Sequence, residues 1–254
     1  ALAYGEIHAI QKNASVGLTT NWVEFQPASL SPSDRLLAFA YDLLFNRSSL
    51  HLLRTGGLPF PYGTLAPDSP EIVDSLDFIG LNVYNRLHVR SGFDDKFLRT
   101  GGVFVPANAP QGDRGVDLPY GEAYPEAVVP AVREYAILGV PIYILENGVP
   151  DRADRIRPWV LVQTVRKLAE LAHAEYDIRG YFHWSLVDNF EWNEGWQLRF
   201  GLYELDPATQ VRKARPSAEI YRDIIRNHGA SDKLLSRFSK QPVARAGAAK
   251  PSHP

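Results

Sequence analysis

Cysteine is absent from the 254 residues, and with it every disulfide, thiolate nucleophile and cysteine-held metal. That absence suits a cytoplasmic protein, which is the expectation for location. Methionine is absent too, including an initiator. Cleavage of an initiator Met before Ala1 would explain the start, and so would a chain cut from a longer precursor. No stretch approaches about 18 apolar residues, and the N-terminus lacks the basic-then-apolar pattern of a secretory signal. No membrane partner is therefore expected. A net charge of -2 offers no electrostatic footprint for nucleic acid or an anionic bilayer. The seven histidines show no metal-ligand spacing.

What is present is an ordinary globular chain. Its 45% hydrophobic content fits a packed core. Its length holds one α/β barrel or two smaller domains. Strand and helix patterns alternate. Residues 4–12 read as the end of a helix and 15–21 as a short strand. Ser31-Pro-Ser-Asp34 marks a helix start, with Ser31 as cap and Pro32 in the first turn. Leu36, Leu37, Ala40, Leu43 and Leu44 follow at helical spacing. The Gly- and Pro-rich stretch 56–70 is a loop, and Leu76 to Tyr84 is a strand. Residues 86–121 are irregular, with a hairpin across Arg86 to Val105. Pro125 to Leu138 is a helix despite Pro130, Pro141 to Leu145 a strand, and Trp159 to Tyr176 a helix with Leu161, Val165 and Leu168 on one face. Ile178 to Ser185 is a strand and Pro216 to Arg226 the last helix. Four strand–helix units imply a parallel sheet. The strands are apolar runs, as when both sheet faces are covered. The pattern divides into one body, 1–229, and an extension, 230–254, whose Ala-, Pro-, Lys- and Ser-rich end reads as a disordered tail.

Two segments carry the chemistry. Tyr143-Ile-Leu-Glu-Asn-Gly148 ends a strand on a carboxylate, Glu146, before an Asn-Gly that reads as a turn. Tyr181-Phe-His-Trp-Ser-Leu-Val-Asp-Asn-Phe-Glu-Trp192 ends a second strand in aromatics interleaved with Asp188 and Glu191. A strand-end carboxylate beside aromatic platforms and further acids suits sugar chemistry. The carboxylate meets an anomeric carbon, the aromatics stack on the ring, and the second acid holds hydroxyls. The plainer reading of the first segment is a strand-end glutamate, and of the second an aromatic core. In such a core Asp188 and Glu191 would need partners.

With Phe78-Ile-Gly-Leu-Asn-Val-Tyr84, Arg199-Phe-Gly-Leu202 and Arg215-Pro-Ser-Ala-Glu-Ile-Tyr221 in the same order and spacing, the chain resembles glycoside hydrolase family 1, the retaining β-glucosidases and β-galactosidases. The resemblance runs from about residue 1 to 229. It implies Glu146 as nucleophile, with Tyr84 hydrogen-bonded to it and Asn82 on the same strand face pointing to the same site. It implies Trp184, Glu191 and Trp192 as the sugar-binding wall and Phe200 on the leaving-group side. Asp188, Asn189 and His183 take structural roles. A β-linked sugar is the implied substrate, and no cofactor is needed.

One family motif is missing. The acid/base glutamate belongs to an Asn-Glu-Pro near the end of the fourth barrel strand, and this chain has no Asn-Glu-Pro. The chain is therefore expected to be α/β, the second half (strands 5–8) of a (β/α)8 TIM barrel. Two raw strand edges would then require another half-barrel. That half could be an N-terminal piece of the same precursor, a separate subunit or a second copy. Glu24 is the one residue here that could replace the acid, and an ordinary loop glutamate is its plain reading. The alternative to catalysis is a non-catalytic, glycosidase-like sugar-binding or assembly subunit.

Overall fold

The computed structural model describes residues 1–64, 67–93, 100–114 and 120–242. A six-stranded sheet organises them. Its four parallel strands are β1 (Gly17–Pro27), β2 (Phe78–Phe93), β5 (Ile142–Asn147) and β6 (Ile178–His183), neighbours in that order. β3 (Thr100–Phe104) and β4 (Glu122–Ala123) pair antiparallel with the far end of β2. The expected hairpin is thus present, and its turn lies outside the described residues. β1 and β6 each keep one edge without a strand partner in that sheet among the described residues. The sheet is an open α/β layer and not a closed barrel.

One face of the sheet carries the core. Ile79, Leu81 and Val83 of β2 and Ile142 and Ile144 of β5 alternate onto it. They pack against Leu50 and Leu53 of α3 (Ser48–Thr55), Ala131, Val132 and Tyr135 of α4 (Val128–Tyr135), and Leu168 and Leu171 of α5 (Arg157–His173). The opposite face is open. Gly80 there faces Leu145 and Thr19, and Gly180 faces Tyr143 and Phe182. Phe182 is 53% exposed. The apolar runs predicted both faces covered. Among the described residues only the helix face is.

Local signals place the helices. α1 spans Leu2–Ile10, held by Tyr4 and His8 on Asp77. α2 (Pro32–Asp42) starts at Ser31-Pro32 as predicted, although the Ser31 side chain makes no cap bond. The chain continues through a π-helical turn (Leu43–Arg47) into α3, further than the sequence pattern indicated. It stops at Gly56, whose φ of 76 suits a residue without Cβ. Pro130 is tolerated in α4 because it sits in the first turn, where its missing N–H has no intrahelical acceptor.

α6 (Pro216–Arg226) follows a short hairpin, β7 (Tyr203–Leu205) and β8 (Arg212–Ala214), that carried no clear sequence signal. The extension is not tail throughout. α7 (Asp232–Arg237) docks Leu234 among Leu161, Val162, Ile220 and Ile224. Six residues are too few for a helical pattern to show. The stretch from 243 on lies outside the described residues.

Candidate active site

The candidate side chains gather at the C-terminal ends of β2, β5 and β6. A β-bulge decides which face Glu146 occupies. Along β5, Ile142 and Ile144 point to the helix face, and strict alternation would send Glu146 after them. The register jumps instead, from Ile144 opposite Leu81 to Glu146 opposite Asn82. The same extra residue appears against β6, where Ile144 pairs with Tyr181 and Asn147 with His183. The inserted residue turns Glu146 onto the open face beside Asn82.

There Tyr84 Oη donates to Glu146 Oε2 at 2.5 Å. Burial raises the Tyr84 phenol far above its ordinary range, and the nearby Tyr120 and Glu146 add to it. The hydroxyl stays protonated and remains a donor. Its ring is held edge-on by Tyr120 at 5.8 Å and Phe200 at 6.2 Å. Asn82 is buried and accepts from Thr19 Oγ1 at 3.0 Å.

Across the site, Trp184 Nε1 donates to Glu191 Oε1 at 3.1 Å, and Asn189 also hydrogen-bonds this carboxylate. Burial raises the Glu191 pKa against these donors, and the charge of Glu146 raises it further. The Glu146 charge reaching Glu191 puts the two carboxylates in one electrostatic environment. Among the described residues, no group of three or more His, Asp and Glu is placed to hold a metal.

Asn147-Gly148 is not the turn its sequence suggests. Asn147 ends the strand and ties three strands together. Its Nδ2 donates to Val83 O at 2.6 Å, its Oδ1 accepts from Tyr181 Oη at 2.9 Å, and its carbonyl accepts from Trp184 N at 2.9 Å. Gly148 is required by close approach, since a Cβ there would lie 2.0 Å from Trp184 O.

The structure thus brings Glu146, Tyr84, Asn82, Trp184 and Glu191 together. Phe200, expected on the leaving-group side, is 1% exposed and packs edge-on against Tyr84 and Tyr120. Trp192, expected in the sugar-binding wall, is 85% exposed. Asp188 is structural as expected, bound bidentately by Arg215 at 2.9 Å through both oxygens and accepting from Gly201 N. Glu24 lies on the helix side, in a cavity with Arg35, Asp42, Arg47 and Glu134 that shares no residue with the site. Its electrostatic neighbours are Trp22, Asp42 and Arg86, and Glu146 is not among them. Sequence reading missed Tyr120, whose charge coupling reaches both Glu191 and Glu146. It follows an irregular stretch with no periodic signal.

The family model described as Glycosyl hydrolase family 1 matches residues 1–230. A β-galactosidase of Sulfolobus acidocaldarius is 32% identical over 244 residues, which are 92% of this chain and 47% of that protein. A β-galactosidase of Pyrococcus woesei is 38% identical over 62% of this chain and 33% of its own length. Among solved structures, a β-glycosidase from Pyrococcus horikoshii superimposes with a TM-score of 0.78 at 31% identity, covering 94% of this chain and 54% of that one. The chain spans about half the length of these relatives or less.

Proposed function

The chain belongs to glycosyl hydrolase family 1, and on that premise we propose that it is the nucleophile-bearing part of a retaining β-glycosidase acting on β-glucosides or β-galactosides. One observation carries the reading. A strand-end carboxylate, turned by a bulge onto the open sheet face, receives a short hydrogen bond from a buried, protonated tyrosine and faces a second carboxylate held by a tryptophan. The relatives' names, β-galactosidase and β-glucosidase, support the substrate class.

In the proposed mechanism Glu146 attacks the anomeric carbon. Tyr84 fixes the attacking oxygens and leaves one lone pair directed at the sugar. Trp184 offers its ring face to the pyranose, and Glu191 accepts from two neighbouring hydroxyls. The acid/base comes from outside this chain. It protonates the leaving oxygen, then activates water, from a glutamate about 5–5.5 Å from Glu146. β1, β2, β5 and β6 then stand as the fifth to eighth barrel strands. A complementary half-barrel, cytoplasmic like this chain, covers the open face and pairs the two free edges. The exposed Phe182 and the half-length match to the relatives support such a partner.

The test uses this chain completed by the N-terminal half of a relative. Glu146→Gln should lose hydrolysis while retaining sugar binding, because the amide keeps the shape without the nucleophile. A mechanism-based fluorinated glycoside should label Glu146. Label on another residue, or unchanged turnover in Glu146→Gln, rejects the assignment.

A further inference from the structure

On the helix side of the sheet, remote from Glu146, lies a cavity of about 390 Å³ between α3 and α4. Arg47, His51 and Arg54 follow one another at i, i+4 and i+7, so they share one face of the helical run. Arg133 faces them from α4. The one acid of the lining, Glu134, is already engaged by Arg47 Nη1 at 2.8 Å, and Arg47 is doubly held through Asp42 at 2.6 Å. Arg54, Arg133 and His51 are exposed and make no side-chain hydrogen bond or ion pair among the described residues. The floor between them is apolar, built from Leu43, Leu50, Pro59 and Ile137.

Each free arginine stands in the last turn of its helix, where the helix dipole favours a cation. That accounts for one arginine at each helix end. It does not account for both sharing one concave, apolar-floored space with a histidine and no unpaired acid. Like charges gathered in a cleft repel one another and focus a positive field into it, a field that an anion relieves. Guanidinium groups offer planar pairs of donors that match tetrahedral oxyanions. The volume sits at the small end of ligand pockets. We propose that this cavity binds a small organic anion of the phosphate-monoester class, with the oxyanion between Arg54 and Arg133 and the ester group on the Leu50–Ile137 floor. The site shares no lining residue with the proposed sugar site.

The full chain, titrated at low salt with phenyl phosphate and followed by calorimetry, tests this. Saturable binding is expected, weaker for inorganic phosphate and undetectable for phenol. Arg54→Gln and Arg133→Gln should each weaken phenyl phosphate about tenfold or more. Arg54→Lys should fall between, since it keeps the charge and loses the fork. Both arginines are exposed, so the variants should keep the parent circular dichroism. Absence of saturation up to roughly 10 mM, equal binding of phenol, or parent-like affinity in the double glutamine variant overturns the site.

Discussion

Tyr84 and Glu191 stand on the two sides of the proposed sugar site, Tyr84 donating to Glu146 and Glu191 accepting from Trp184. Burial keeps the Tyr84 phenol protonated, so it donates to Glu146 at 2.5 Å. Tyr84→Phe keeps the ring between Tyr120 and Phe200 and removes that donor. In the completed enzyme turnover should fall about 10- to 150-fold, the worth of a hydrogen bond to a charged group, roughly 1.5–3 kcal/mol. A steady-state assay on an aryl β-glucoside checks this, and unchanged kcat would detach Tyr84 from the nucleophile. Glu191 should behave differently. Glu191→Ala should lower kcat more than it weakens ground-state binding, because its hydrogen bonds strengthen as the ring distorts. The loss should shrink on deoxy sugars that lack the hydroxyls it holds. Equal losses on parent and deoxy substrates would make Glu191 structural. Because burial raises its pKa, Glu191 reaches the accepting, ionised form at a higher pH than the ordinary 4.5.

At the scale of elements, Asp34 joins α2 to β2. Its carboxylate accepts from Ser29 Oγ, Ser91 N and Ser91 Oγ, each at 2.7 Å. The Ser29 hydroxyl, then the hydroxyl and backbone N–H of Ser91, lower its pKa from 3.8 to about 2. The folded value lies below the unfolded one, so the contribution to stability is complete above pH 3.8 and is lost as pH falls toward about 2. The urea midpoint should decline across that window, and Asp34→Asn should flatten this part of the profile. A profile as steep in the variant as in the parent would place the acid sensitivity elsewhere. Elements also differ in how legible they were. α2 and α6 announce themselves through proline in the first turn and apolar residues at helical spacing. The bulge in β5 does not. It arises because the chain must satisfy β2 on one side and β6 on the other, and nothing in Ile-Leu-Glu marks which residue is extra.

At the scale of the molecule, the four parallel strands end, among the described residues, in two unpaired edges and leave one sheet face open. The order of the motifs and the missing Asn-Glu-Pro point to part of a barrel, and this chain matches 47% of one relative and 54% of a solved structure. Alone, the chain should show little or no hydrolysis of aryl β-glucosides, since it carries the proposed nucleophile and lacks the Asn-Glu-Pro glutamate. Mixing with the N-terminal half of a relative should restore turnover and raise the thermal midpoint, as the edges pair and the open face is covered. Robust turnover by the isolated chain would sink the half-enzyme reading.

The sequence by itself determined the residue inventory and the chain order of the site: Tyr84, then Glu146, then Trp184 and Glu191. Strand-end position and aromatic spacing are local properties, written along the chain. Only the tertiary structure decided which of these residues meet. It turned Glu146 to the open face, put Phe200 beneath Tyr84, left Trp192 in solvent and set Glu24 on the far side of the sheet. The reason is physical. A side chain's face depends on the register of its strand against both neighbours. One inserted residue reverses that face with no trace in local composition.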